Sequence, residues 1–191
     1  MTTTPLVQLT GGTELLERAV GFALGAFPAV TPELLHAGTP CRLWRVQELM
    51  DHLNDGMNAL RAAFDDKAIC LEGSAEGRCS VAALQKSARG LLAAVSAHRA
   101  RLPTVKVGGC PLSGTVVVAA GALELAVHGW DLAQGCGCPR PLPEALAADL
   151  LRLAPLLVSD EDRPGRFAMP VAAPAASSSS DRLLAWLGRA P

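Results

Sequence analysis

Apolar residues recur at helical spacing in five long stretches of this chain, and the stretch from 114 to 135, GTVVVAAGALELAVHGWDLAQG, differs from the rest. The others pair an apolar stripe with a polar face. This one is apolar almost all the way round, the pattern of a helix buried at the centre of a protein. Its length corresponds to about six helical turns. Residues 13–27 place Leu15, Leu16, Ala19, Val20, Ala23 and Leu24 on one face and Glu14, Glu17 and Arg18 on the other, predicting a first helix that stops before Pro28. A second helix is predicted over residues 46–64, where Val46, Leu49, Met50, Leu53, Met57, Leu60 and Phe64 form one stripe. Ser80 is a good N-cap for a third, residues 80–101, with Leu84, Ala88, Leu91, Leu92 and Val95 on its apolar face and Pro103 beyond its end. A fifth opens at Leu142-Pro143-Glu144 and runs to Leu157, and Asp181 is read as the cap of a last short helix over 182–187.

The connections are polar or rich in Gly and Pro. Thr31-Pro32-Glu33 predicts a short helical turn, and residues 39–44 an irregular lead-in to the second helix. Residues 65–79 read as a loop; so do residues 103–113, in which Val105-Lys106-Val107 has extended character. From 159 to 180 the chain is rich in Pro, Ala and Ser, with 167–171 as its extended portion and the serines at 177–180 as a linker or surface loop. No stretch alternates well enough to predict a sheet. The expected fold is therefore all-α, a four-helix bundle with short additional helices and an extended C-terminal segment. It forms one domain over 1–191, in which 164–191 is an extended tail plus a short helix.

Composition narrows the class of function. A formal charge of −1 offers no electrostatic basis for binding nucleic acid or an acidic membrane surface. The N-terminal MTTTPLVQLTGG lacks the positive start and apolar core of a signal peptide, and the longest apolar run, 116–123, falls well short of the roughly 20 residues that span a bilayer. A cytoplasmic protein with no membrane partner is the expectation, and its six cysteines are then expected as thiols. Cys136-Gly137-Cys138 lacks the paired Cys-x-x-Cys knuckles of a structural zinc site and reads as a loop with incidental thiols.

Three groups interrupt the apolar central stretch: Glu124, His128 and Asp131. At about 100° per residue they fall within a strip about 60° wide. Two carboxylates and an imidazole on one face of a buried helix are costly unless they are paired or hold a cation. Glu124 and His128 stand at i,i+4, one above the other, and offer an oxygen and a nitrogen to one ion. A third ligand has to come from another helix. His52 qualifies, because it shares a helix face with Gly56, Ala59 and Ala63, small residues that let a second helix approach. Two imidazoles and a carboxylate suit zinc first, then nickel or iron(II), over magnesium or calcium. Asp131, one turn beyond His128, is placed to orient a ligand or handle a proton. His36 reads as a solvent-facing loop histidine, and His98 as a neutral histidine bonded to a backbone carbonyl near a helix end. The residues equally admit a metal-free reading, with Glu124 paired to an arginine such as Arg89 or Arg99 and His128 a buried, hydrogen-bonded histidine.

Two segments carry a family resemblance. Residues 39–53, TPCRLWRVQELMDHL, resemble a histidine-bearing segment of the DinB-like superfamily, in its actinobacterial branch related to mycothiol-dependent maleylpyruvate isomerase. Residues 124–133, ELAVHGWDLA, resemble that branch's second histidine segment, and the ending DRLLAWLGR, 181–189, is similar to the close of its short single-domain members. The resemblance implies a divalent metal held by His52, Glu124 and His128 in a bundle core, often in a homodimer. It implies a low-molecular-weight thiol, mycothiol or one like it, used as the nucleophile in transferase or isomerase chemistry on a small-molecule substrate. A non-catalytic metal-binding or regulatory bundle is the alternative. Two departures stand out. Arg45 occupies the position where the family has a small hydroxyl residue suited to capping the second helix, so that cap is lost or replaced. No counterpart of the full isomerase's extra C-terminal domain is visible, so the resemblance carries the metal further than it carries isomerisation of maleylpyruvate itself.

Overall fold

A computed structural model describes residues 12–42, 44–70, 78–98, 104–174 and 176–190. In chain order its elements are α1 (Gly12–Leu24), α2 (Val46–Asp65), β1 (Ala68–Ile69), α3 (Val81–Ala97), β2 (Thr104–Val107), β3 (Cys110–Ser113), α4 (Gly114–Gly135), α5 (Glu144–Leu157) and α6 (Ser179–Trp186). Short 3₁₀ turns lie at Phe27–Ala29, Pro32–Leu34 and Asp160–Asp162. The architecture is the expected all-α, DinB-like bundle. α4 is its axis: α1 packs along it most extensively, α2 lies against α4 and α3, and α5 reaches α4 while clasping α6. α4 is long and apolar enough to cross a membrane by length and composition, yet 83% of that stretch is buried inside the fold, as in the core helix of a bundle. Leu16, Leu49, Leu53, Leu84, Leu91, Leu125 and Leu132 are fully buried, each stabilising the fold by roughly 1.5–3 kcal/mol through loss of apolar surface from water.

Close packing around α4 depends on a missing side chain. A Cβ at Gly129 would stand 2.9 Å from the Cα of Ala23, so α1 passes backbone-to-backbone beside the residue next to His128. The start of α2 is equally specific. Arg45 is the N-cap residue and cannot accept a bond from the first turn; instead its own N–H donates to Glu48 Oε2 at 2.8 Å. The carboxylate of the first turn thus replaces the missing hydroxyl cap, and Arg45 Nη1 ties the helix start to the carbonyl of His36 at 2.9 Å.

Three local expectations change. A small sheet is present, ordered β1-β2-β3, with β1 and β2 parallel and β2 and β3 antiparallel. Its hairpin turns through Gly108 (φ 54°) and Gly109 (φ 86°), the pair of positive φ values a two-residue hairpin of this hand requires. The strands are two to four residues long and β3 is exposed throughout, so no alternation announces them. Ser178, not Asp181, caps α6, accepting from the Asp181 N–H at 3.1 Å. The serine run expected as a linker therefore begins that helix, and Ser180, buried, accepts from the Leu142 N–H at 3.1 Å. α3 ends at Ala97; the predicted continuation to Arg101, and with it Arg99, lies outside the described residues.

Candidate metal centre

α4 and α2 bring the three nominated side chains to one point. His52, one turn and a half into α2, faces Glu124 across the bundle with Nε2 2.6 Å from Glu124 Oε1. His128, one turn beyond Glu124 on α4, places its Nε2 3.1 Å from the same oxygen. One donor atom from each of His52, Glu124 and His128 lies within 4.8 Å of the other two. The donor set fits a small divalent cation. Metal–ligand bonds of about 2.0–2.1 Å set tetrahedral donors about 3.3 Å apart, close to the His128–Glu124 separation. His52 and Glu124 would have to part by under an ångström, roughly the difference between a direct hydrogen bond and shared coordination.

Behind His128 the site is closed. His128 Nδ1 donates to Asp131 Oδ2 at 3.0 Å, and Arg189 grips the same carboxylate with Nη2 to Oδ2 at 2.8 Å and Nε to Oδ1 at 3.3 Å. Asp131 is fully buried and Arg189 nearly so, at 6% exposure. Burial alone would push the Asp131 carboxyl up; the hydrogen bond from His128 and the Arg189 charge outweigh it and hold it below the usual carboxylate range. Burial likewise favours neutral His128, but hydrogen bonds to Asp131 and Glu124 and their charges win, raising its pKa to about 9. Glu124 follows the same logic: burial opposes its charge, and the two imidazoles beside it drive its pKa well below normal.

In front of His52 the site is more open. The His52 and Glu124 side chains keep 32% and 38% exposure. Trp44 stacks on the His52 ring at 4.1 Å between centroids and meets His128 edge-on at 5.4 Å. Thr39 Oγ1 donates to the carbonyl of Trp44 at 2.7 Å, fixing the segment that carries the indole. Cys41 joins the cluster from the same segment: its thiol lies within 4.8 Å of donor atoms of both His128 and Asp131, and all three residues are buried. Two clefts of about 430 Å³ each meet at Cys41, one reaching Trp44 and Glu48, the other Arg42, Met169 and Arg189.

Over residues 16–133 the chain matches the family of the mycothiol maleylpyruvate isomerase N-terminal domain. It belongs to that family. Two uncharacterized proteins of Mycobacterium tuberculosis, one from each of two strains, are 30% identical to it over 163 residues, 84% of this chain and 87% of their own. No solved structure matches it significantly. As a member of the mycothiol maleylpyruvate isomerase N-terminal domain family, the protein is a mycothiol-related, DinB-like bundle. His52, Glu124, His128 and Asp131 all fall inside the matched span, whereas Arg189 falls outside it.

The rival pairings resolve differently. Glu124 is bonded to the two histidines, while Arg89 is exposed on α3. His98 bonds the carbonyl of Ala94 at 2.9 Å and rests against Phe64, the bland role expected of it. His36 is exposed in its connector, and Cys138 is exposed while Cys136 is buried. Sequence reading did not assign roles to Arg189, Cys41 or Trp44. Arg189 sits 58 residues from its partner Asp131, a separation no periodicity covers. Trp44 and Cys41 precede α2, where helical spacing carries no information.

Proposed function

We propose that the protein is a metal-dependent enzyme that uses a low-molecular-weight thiol, mycothiol or a close analogue, as nucleophile toward a small electrophilic substrate in transferase or isomerase chemistry. His52, Glu124 and His128 are the ligands, zinc is the first choice of metal ahead of nickel or iron(II), and Asp131 is the orienting, proton-handling group. The observation that carries this reading is the meeting of two imidazole nitrogens and one carboxylate oxygen within 4.8 Å at the edge of an otherwise apolar core. A divalent cation bound there supplies Lewis acidity that lowers the pKa of a thiol beside it toward neutrality.

The chain's own residues divide the remaining work. Asp131 holds the Nδ1 proton of His128, so that Nε2 is the nitrogen turned to the meeting point and the one left free to coordinate once its own proton departs. Trp44 fixes the plane of the His52 ring and excludes water from one of its faces. The exposed edge of Glu124 and His52 leaves an approach for a thiol. A closed, non-catalytic metal site would not need ligands this exposed. We further propose that the protein works in the cytoplasm as a single domain and a homodimer, without nucleic-acid or membrane partners, which light scattering and fractionation test.

Metal analysis of the purified protein tests the ligand set: one divalent ion per chain is expected, lost on His52→Ala. Unchanged stoichiometric metal in that variant removes the three-ligand arrangement. The chemistry is tested by incubating zinc-loaded protein with small thiols and a panel of electrophiles, scored by mass spectrometry for the thioether adduct or the isomerised product.

A further inference from the structure

The turn that ends α6 is built to aim one side chain. Gly188 adopts φ 80°, and its N–H donates to the carbonyl of Ala185 at 3.0 Å while the Arg189 N–H donates to that of Leu184 at 2.8 Å. This is the glycine-dependent helix stop in which the chain reverses through a left-handed residue. A Cβ at Gly188 would also fall 2.6 Å from Ala168 Cβ, so the turn is pressed against the extended segment beside it. The outcome is that Arg189, the next residue, enters the bundle instead of solvent. All three of its side-chain nitrogens donate there, Nε and Nη2 to Asp131 and Nη1 to the carbonyl of Leu187 at 3.0 Å. Arg189 also borders a cleft, and Nε and Nη2 bond the carboxylate behind His128.

We infer that the Gly188–Arg189 turn is a positioning element of the candidate metal centre: Arg189 locks Asp131, and Asp131 in turn locks the orientation and tautomer of His128. The inference rests on the metal reading above and extends it to a part of the chain beyond the span matched by the family. Three geometric facts support it. The contact between Arg189 and Asp131 uses two nitrogens on two oxygens, which fixes the carboxylate plane as a single bond cannot. One of those oxygens, Oδ2, is also the acceptor for His128 Nδ1. The whole chain of contacts is buried, so losing one partner leaves a buried polar group unpaired. Lysine at 189 would keep the charge but lose the fork.

Zinc affinity, measured by competition with a chromophoric chelator, tests this in wild type, Arg189→Lys, Arg189→Met, Asp131→Asn and the double variant Arg189→Met/Asp131→Asn. The double variant removes the orphaned buried charge, so it keeps the test alive if Arg189→Met folds poorly; circular dichroism and thermal melts confirm folding. The expected result is a loss of about 10–100-fold for Arg189→Met, the range for partners that orient a ligand, a smaller loss for Arg189→Lys, and a double variant no worse than Asp131→Asn alone. The visible spectrum of the cobalt-loaded protein should shift in Arg189→Met and recover in part in Arg189→Lys. Wild type that binds zinc while both Arg189 variants match it in affinity and cobalt spectrum overturns this inference alone, as do additive losses in the double variant. Wild type that binds no zinc overturns the metal reading, and this inference with it.

Discussion

The two halves of the candidate centre are built on different terms. His128 has the fully buried Asp131 behind it, the buried Arg189 behind that, and the α1 backbone close by across Gly129. His52 has Trp44 stacked on its ring, the His128 ring edge-on at 5.1 Å and a bond to Glu124, but its side chain is still one-third exposed. Every hydrogen-bonding atom on the first side is spoken for, so that half sets where the donors stand. The second side is the exposed one, so that half admits what comes from solution. A centre of this kind separates precision from access, assigning each to a different helix.

The sharpest way to break the comparison is to unmake the closed half. Asp131→Ala leaves Arg189 as an unpaired buried cation and should cost about 3–5 kcal/mol of metal-free stability, read by denaturant unfolding. A cost under about 1 kcal/mol would mean that water or another group reaches Arg189, and that the half is not closed. The open half should respond oppositely: His52→Ala abolishes stoichiometric metal while costing only about 1 kcal/mol of stability, because the stacking on Trp44 and the bond to Glu124 that it removes are partly exposed to water.

pH separates the metal-free and loaded states. His128 holds its proton to about pH 9 in the metal-free fold, against an ordinary value of 6.5. Its contribution to stability is therefore complete below pH 6.5 and is lost as pH rises through 9, so the metal-free melting temperature should fall between pH 7 and pH 10. Coordination requires that proton to leave. Loading with zinc at pH 7.5 should release about one proton from His128, and apparent affinity should climb by up to about tenfold per pH unit between 7 and 9. Affinity flat across that range would show that His128 does not carry the competing proton. The smallest effect belongs to the control: His98→Gln should leave metal content unchanged and cost about 1 kcal/mol for the bond to Ala94.

Much of this was legible from residue types and spacing. The uninterrupted apolar character of residues 114–135 identified the axis of the fold, because a helix with no polar face has nowhere to go but inside. Glu124, His128 and Asp131 stood out for the same reason, as groups whose burial demands partners. His52 was nominated on the small residues that share its face, yet a Cβ at Gly56 would meet nothing within 4 Å, so close helix approach there is not what brings His52 to Glu124. Val105-Lys106-Val107 was legible as extended and lies in β2, but its pairing into a sheet was not, since four-residue strands around Gly108-Gly109 carry too few positions to show a period. Nor was the replacement cap at Arg45, where a side chain of the wrong chemistry is relieved by Glu48 three residues on.

The sequence by itself determined which helix lies at the centre and which of its groups are chemically out of place, because both follow from local periodicity and from the cost of burying charge. Only the tertiary structure decided what meets those groups. Asp131 is held by an arginine 58 residues away, and His128 shares its neighbourhood with Trp44 and Cys41 from a segment without regular structure. Such meetings arise from how helices pack and where the chain turns between them, and neither is written in the spacing of any one element.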